Sequence, residues 1–252
     1  MHDSVVELTT SGTIATLTLS RGKVNALNPP FVSAIQRDLD ALASDEAVRA
    51  AILTGRGSFF SFGFDIPEFL QYSKDEFKQY LESFTALYTS IFVHPKPIIA
   101  ALNGHTIAGG AMLATACDYR IMTTGNAKIS LNEISFGSTL FAGSVEMLEH
   151  LLGTRRSATV ALSGAMYSAE EALELGWIEE TCKPEQLKLL AKKRATAYAE
   201  KDAVAFQHIK MLLRGPVAER MRKREADSIQ DFVNIWYSEA TRRNLKKIQI
   251  RD

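Results

Sequence analysis

Hydrophobic and polar residues alternate over positions 5–9 and 14–20, on either side of Ser11-Gly12, which is the pattern of a β-hairpin. Asn28 followed by Pro29 and Pro30 supplies a helix cap and early-turn prolines, and Phe31, Ile35, Leu39 and Leu42 then recur on one helical face. The short apolar run at 50–54 predicts a strand buried on both faces. Phe77, Leu81, Phe84, Leu87, Tyr88 and Ile91 mark a long amphipathic helix between positions 74 and 94. A second buried strand follows at 97–102. Small residues after it open a helix through Met112, Leu113 and Ala116, and 119–122 and 127–131 predict further short strands. Beyond Gly143 the periodicity predicts almost nothing but helix, near 144–152, 156–163, 168–175, 185–200, 202–213 and 217–248, divided by Gly, Ser, Asp and Pro. Strands alternating with helices before a helical tail imply an α/β fold with a helical extension.

Composition narrows the function classes. The chain has 252 residues, 46% of them hydrophobic, enough for a substantial core. Its 29 basic and 29 acidic residues cancel, so no global field argues for nucleic acid, and an anionic substrate must be held by local basic groups. Cys117 and Cys182, with His2, His94, His105, His150 and His208, show no metal-ligand spacing, so no metal is expected. No apolar run reaches membrane length. Neither the opening Met1-His2-Asp3-Ser4 nor the closing Ile250-Arg251-Asp252 reads as a targeting signal, and the expected setting is soluble, reducing and cytoplasmic.

The candidate chemistry lies in two glycine turns, Phe60-Ser61-Phe62-Gly63-Phe64-Asp65 and Ile107-Ala108-Gly109-Gly110-Ala111, followed by Leu131-Asn132-Glu133. Each glycine turn can offer a backbone N–H free of side-chain obstruction. Two such donors converging on one carbonyl make an oxyanion hole, and losing one donor typically costs roughly 2.7–4 kcal/mol of transition-state stabilisation. Gly109-Gly110 falls where a helix begins, so its unpaired amides and the helix dipole act together. The amide of Phe62, just before Gly63, is the expected second donor. Glu133 is the candidate base. Asp65 reads better as a turn or helix cap than as a catalyst. Glycine at a strand-to-helix turn commonly serves backbone geometry alone, and only the order of the three segments raises the functional reading.

These segments, with Pro97-Ile98-Ile99-Ala100-Ala101-Leu102-Asn103-Gly104, Cys117-Asp118-Tyr119-Arg120, Leu162-Ser163-Gly164 and the stretch from Ala169 to Gly176, resemble the signature of the crotonase (enoyl-CoA hydratase/isomerase) superfamily along essentially the whole chain. The resemblance implies an α/β spiral of strand-strand-helix turns over 1–195 and a C-terminal helical trimerisation region over 196–252. It also implies an acyl-CoA thioester as substrate, with Phe62 and Gly109 holding its carbonyl. CoA then enters as part of the substrate, and no separate cofactor is expected.

The acid and base positions separate the chemistries. Hydratases of this family use two glutamates, one of them two residues after the Gly-Gly pair. Met112 stands there in this chain, whereas Glu133 occupies the second position. Hydration needs a base for water and an acid for the α-carbon, but moving a double bond from β,γ to α,β needs one base that returns the proton at the γ-carbon. Together with the stretch Ala226-Asp227-Ser228-Ile229-Gln230-Asp231-Phe232-Val233, this looks most like the Δ3,Δ2-enoyl-CoA isomerases.

Around that centre, Gly63, Phe64, Asp65, Ile66, Phe69, Gly110 and Phe141 are expected to bind substrate, with Phe60, Phe62, Phe64, Phe69 and Leu70 as an acyl-chain wall. Lys23 and the backbone of Asn25, Ala26 and Leu27 are expected at the CoA nucleotide, and Lys246 or Lys247 of a neighbouring subunit is a further candidate. Ile229, Phe232, Val233, Trp236 and Ala240 recur at helical spacing, as packing on the chain's own core or on another subunit would require. The resemblance favours a trimer or a dimer of trimers. The rival readings are another CoA-thioester reaction such as hydration, decarboxylation or C–C cleavage, and a non-catalytic CoA- or RNA-binding homologue. Neutral charge and the absence of a basic-aromatic stripe weigh against RNA.

Overall fold

The computed structural model describes residues 5–248, so the features read at Met1–Ser4 and at Ile250-Arg251-Asp252 lie outside the described residues. The expected hairpin is present as β1 (Val6–Ser11) and β2 (Ile14–Leu19), antiparallel with Val6 opposite Leu19. β2 leads through the short β3 (Ala26–Leu27) into α1 (Pro29–Ser44), where the Asn28 side chain accepts the Phe31 N–H at 3.2 Å as its cap. The next turn of the chain runs β4 (Ala50–Gly55), β5 (Phe59–Ser61), β6 (Gly63–Phe64), α2 (Ile66–Phe69) and α3 (Lys74–Phe92). The following one runs β7 (Ile98–Leu102), β8 (His105–Ile107) and α4 (Gly109–Ala116). A third runs β9 (Tyr119–Thr123), β10 (Ile129–Ser130), a 3-10 turn at Glu133–Phe136 and α5 (Ala142–Ser163). The remainder is α6 (Ala169–Leu175), β11 (Glu180–Cys182), α7 (Leu187–Ala199), α8 (Ala203–Trp236) and α9 (Glu239–Leu245).

Each turn gives one strand to a large sheet, ordered β1-β2-β4-β7-β9-β11 and parallel from β2 onward, and a second strand to smaller sheets ordered β10-β8-β5 and β3-β6. This is the α/β spiral of strand-strand-helix turns. Strand β7 and the first four residues of β4 are apolar and buried because the large sheet is covered on both faces: Ala51 and Leu53 face the main core, and Ala50 and Ile52 face a second cluster closed by Leu187, Ala191 and Ala195 of α7.

The C-terminal third departs from the expected pattern in three places. β11 pairs in parallel with β9, in the gap between the helices expected near 168–175 and 185–200, where the sequence pattern predicts no strand. Its three residues are too few for alternation to register, and pairing with a buried strand decides their conformation. The helix expected to break at Gly215-Pro216 instead runs unbroken from Ala203 to Trp236. An interior proline costs about 3 kcal/mol, and packing on both sides offsets it. Before the proline, Lys210 donates to Asp118 at 2.8 Å and Arg214 to the carbonyls of Phe92 and Ala116 at 2.9 and 3.0 Å; after it, Val217, Ala218 and Met221 are buried. The helix expected to continue to 248 stops at Trp236, and Ser238 caps α9 by accepting the Thr241 N–H at 3.3 Å. Cys117 and Cys182 are both buried free thiols. No helix among the described residues is long and apolar enough to cross a membrane.

One close approach sets where α4 begins. A Cβ on Gly110 would lie 2.6 Å from the Ser61 carbonyl oxygen and 2.8 Å from Ser61 Cβ, so a bare backbone is required there. Gly110→Ala should lower the unfolding free energy by at least the roughly 1–3 kcal/mol of an overpacked core site, read as a lower denaturant midpoint. An unchanged midpoint would mean that this contact does not constrain the fold.

Candidate active site

The strands β5, β8 and β10 lie parallel and in neighbouring register, with Ser61 opposite Thr106 and Ser130 opposite Ile107, so their C-terminal ends open on one edge. Beyond β5 come Phe62, Gly63 and Phe64; beyond β8, Ala108 and Gly109; beyond β10, Asn132 and Glu133. Ligand sites of parallel α/β sheets form outside strand C-termini for this reason. The Ala108 N–H donates to the Ser130 carbonyl at 2.8 Å, tying the second turn to the glutamate-bearing strand.

Ala108 has φ 51° and ψ −118°, a conformation that costs a residue with a side chain about 1–3 kcal/mol. This twist redirects the chain so that Gly109 opens α4, with its N–H outside the helix ladder. Gly63, at φ +95°, packs against the same turn: a Cβ there would stand 3.0 Å from the Ile107 oxygen and 3.1 Å from the Gly109 nitrogen. The two glycine turns therefore meet, as their sequence suggested.

The second donor differs from expectation. The Phe62 N–H donates to the Val24 carbonyl at 2.9 Å and is spent on the fold. Gly63 N–H is directed to Ser61 Oγ at 3.1 Å, and Asp65 N–H to the Leu27 carbonyl at 2.9 Å. Successive amides of a strand point to opposite sides, so with Asp65 bonded to β3 the amide of Phe64 turns away from β3. Phe64 itself lines the cavity together with Gly109. Its amide, not that of Phe62, fits the role of second donor.

Glu133 opens the 3-10 turn at the end of β10 and is 4% exposed. Its Oε2 is buried without a hydrogen-bond partner. Burial drives its pKa from an ordinary 4.5 to about 8, against a small opposing effect of a hydrogen bond from its own backbone. The turn is held from outside by α9: Thr241 Oγ1 donates to the Gly137 carbonyl at 2.6 Å and Asn244 to that of Phe136 at 3.3 Å. Glu133 faces a cavity of about 220 Å³ whose lining includes Phe62, Phe64, Ile66, Ile107, Ala108, Gly109, Asn132, Phe136, Phe141, Phe232, Trp236 and Ile248. Of these residues Glu133 alone is ionisable. Met112 is buried within α4 and does not line the cavity.

The other expected contacts divide. Ile66 and Phe141 line the cavity with Phe62 and Phe64, whereas Phe60 and Phe69 are fully buried core and Gly110 serves helix packing. Asp65 caps α2 by accepting the Glu68 N–H and is paired with Arg21 at 2.8 Å. Asn25, at φ 51°, uses its amide group to hold Arg56 and Phe59 carbonyls at 3.1 and 2.9 Å. The carbonyls of Asn25, Ala26 and Leu27 accept from Ser61, Arg21 and Asp65 respectively. That loop thus braces the first turn, and none of its three residues lines the cavity; Lys23 is exposed and does not either. Phe232 and Trp236 are buried in the chain's own core, so their helical spacing reflects intramolecular packing, and Ala240 is exposed on α9. Phe141 stacks on Phe232 at 4.4 Å, and the start of α5 is fastened to α8 by Gly143 N–H on Glu225 at 2.9 Å and Ala142 N–H on Ser228 at 3.0 Å. The walls supplied by Asn132, Phe136, Phe232, Trp236 and Ile248 were not among the expected contacts.

The pattern of the enoyl-CoA hydratase/isomerase family matches residues 9–246. The chain belongs to that family. A probable enoyl-CoA hydratase of Bacillus subtilis is 33% identical over 212 residues, 83% of this chain and 82% of that protein. The human mitochondrial enoyl-CoA delta isomerase 1 is 26% identical over 245 residues, 96% of this chain and 81% of that protein. The crystal structure of human mitochondrial delta3-delta2-enoyl-CoA isomerase superposes with a TM-score of 0.93 at 24% identity, covering 97% and 96% of the two chains, and shows that the fold is shared. Family membership makes this a crotonase-superfamily enzyme whose chemistry concerns acyl-CoA thioesters.

Burial of Glu133 has a consequence for this family member's stability. The folded protein retains on Glu133 a proton that the unfolded chain releases between pH 4.5 and about 8, so this group makes wild-type stability fall as pH rises through that window. Glu133→Gln lacks that fall. Its unfolding free energy should gain on wild type with rising pH and level off above about 8. A pH-independent difference between the two proteins would contradict the burial of an ionisable group there.

Proposed function

We propose that this protein is an enoyl-CoA isomerase that moves the double bond of a 3-enoyl-CoA to the 2-position. The observation that carries the reading is a cavity with, among the described residues, one ionisable wall residue, Glu133, beside the turns that present the Gly109 and Phe64 amides. The thioester oxygen accepts from both N–H groups, which lowers the cost of enolate formation at Cα. Ionised Glu133 takes the Cα proton, the electron pair shifts through the dienolate, and the same carboxyl returns the proton to Cγ. One carboxylate is sufficient because the base becomes the acid within a single turnover. The apolar walls raise its basicity and slow exchange of the carried proton with water. CoA is part of the substrate, and the reaction as written requires no redox group.

Glu133→Gln should lower the isomerisation rate of 3-enoyl-CoA by about 10²–10⁴-fold, the usual range for removing a positioned acid/base. Since the base must be ionised, kcat/KM should rise with pH up to about 8 and then level. Retention of most of the wild-type rate in the variant would refute the assignment. Hydration is the second reading, favoured by the similarity to the probable enoyl-CoA hydratase of Bacillus subtilis. Rapid loss of 2-enoyl-CoA ultraviolet absorbance with the wild-type protein would establish it.

The trimer belongs to the same reading. Val204, Ile209, Leu212 and Leu213 of α8 are 57–77% exposed, an apolar surface that a second copy would cover. Sedimentation equilibrium should give a trimer or hexamer, and a monomer at micromolar concentration would contradict this assembly.

A further inference from the structure

Among the described residues, two polar side chains that the proton shuttle does not use line the acyl cavity: Asn132, whose buried Oδ1 is an unpaired acceptor, and Trp236, which carries the unpaired donor. Trp236 is 1% exposed and lines the cavity, yet its indole N–H has no hydrogen-bond partner. A buried donor left unpaired is costly enough that few persist without a reason. Neighbouring rings do not satisfy it. Phe232 lies 5.9 Å away, stacked at 22°, and Phe77 4.6 Å away, tilted at 35°; neither stands edge-on at the steep angle by which a ring face would accept the N–H on the indole edge. The ring is held firmly by those same contacts, which fix the direction of its donor. Trp236 stands one ring beyond Phe232, which is 6.3 Å from Phe64 of the proposed oxyanion turn. That order, Phe64 then Phe232 then Trp236, places it along the cavity wall beyond the proposed oxyanion turn.

We propose that Trp236 is a specificity residue that donates its indole N–H to a neutral oxygen carried on the acyl chain, a hydroxyl or a ketone. The inference rests on the enoyl-CoA reading of the cavity and deepens it by naming the class of acyl group. A carboxylate tail is disfavoured, since among the described residues no lysine, arginine or histidine lines the cavity and Glu133 is the one ionisable group there. A plain hydrocarbon chain fills the same space but leaves the donor desolvated and unpaired. Sites built to hydrogen-bond a substrate oxygen reject the analogue lacking it for this reason.

Saturated ligands separate this proposal from the isomerase reading, because their binding requires no turnover. Calorimetric titration of the wild-type protein with hexanoyl-CoA and with its ω- and (ω−1)-hydroxy analogues should show at least one hydroxylated ligand binding about fivefold or more tightly than hexanoyl-CoA. Trp236→Phe keeps an aromatic ring against Phe77 and Phe232 but removes the N–H, and should abolish that preference, bringing the three affinities within about twofold of one another. Equal affinity of the wild-type protein for all three ligands would show that solvent satisfies the indole and would overturn the proposal. So would an equal loss of affinity for all three in Trp236→Phe, which would place the donor against the pantetheine arm shared by them. Failure of every acyl-CoA to bind would overturn this proposal and the enoyl-CoA reading together, whereas a wild-type hydroxyl preference without isomerase activity would overturn only the isomerase reading.

Discussion

The parallel pairing of β8 between β5 and β10 is the constraint on which the site depends. Parallel strands in register end on a common edge, and here three consecutive turns of the spiral deliver their reactive groups to that edge. The Ala108–Ser130 hydrogen bond fixes the middle turn against the glutamate-bearing strand, and the bare backbones of Gly63 and Gly110 let the first turn approach it. Strain at Ala108 is confined to the residue whose twist turns the chain into α4. The rest of the molecule supplies enough packing to hold it there.

The second feature is electrostatic. A carboxyl placed among aromatic walls becomes a stronger base than one in water, but it is also less often ionised at neutral pH. Glu133 stands in this balance, with its pKa near 8 and one oxygen unpartnered. The α9 contacts to the Gly137 and Phe136 carbonyls hold the turn without placing a hydrogen-bond donor on that oxygen. Support through backbone carbonyls leaves the carboxyl free for chemistry, whereas a side-chain partner would have lowered its pKa and blocked its approach to carbon.

Much of this was legible in the sequence because it depends on local signals. Glycine turns after buried strands, the Asn28 cap and the periodicity of α3 are properties of short segments. So is the replacement of one family glutamate by Met112. The identity of the second amide was not legible, because residue spacing does not say which of two successive N–H groups is consumed by a distant carbonyl; Val24 makes that choice for Phe62. The continuous α8 was hidden by Gly215-Pro216, whose local preference is overruled by the Asp118–Lys210 pairing and by burial of Val217, Ala218 and Met221. Phe232 and Trp236 carried the right periodicity. Their role as cavity walls depends on α8 crossing back over α3 and α5, a long-range fact that a helical pattern does not contain.

The fate of the transferred proton tests the central claim most directly. A 3-enoyl-CoA carrying deuterium at Cα should yield 2-enoyl-CoA with part of that deuterium at Cγ, because a single sheltered carboxyl carries it between the two carbons. Product with no deuterium at Cγ, formed at the full wild-type rate, would mean that a different acid delivers the γ-proton and would contradict the account.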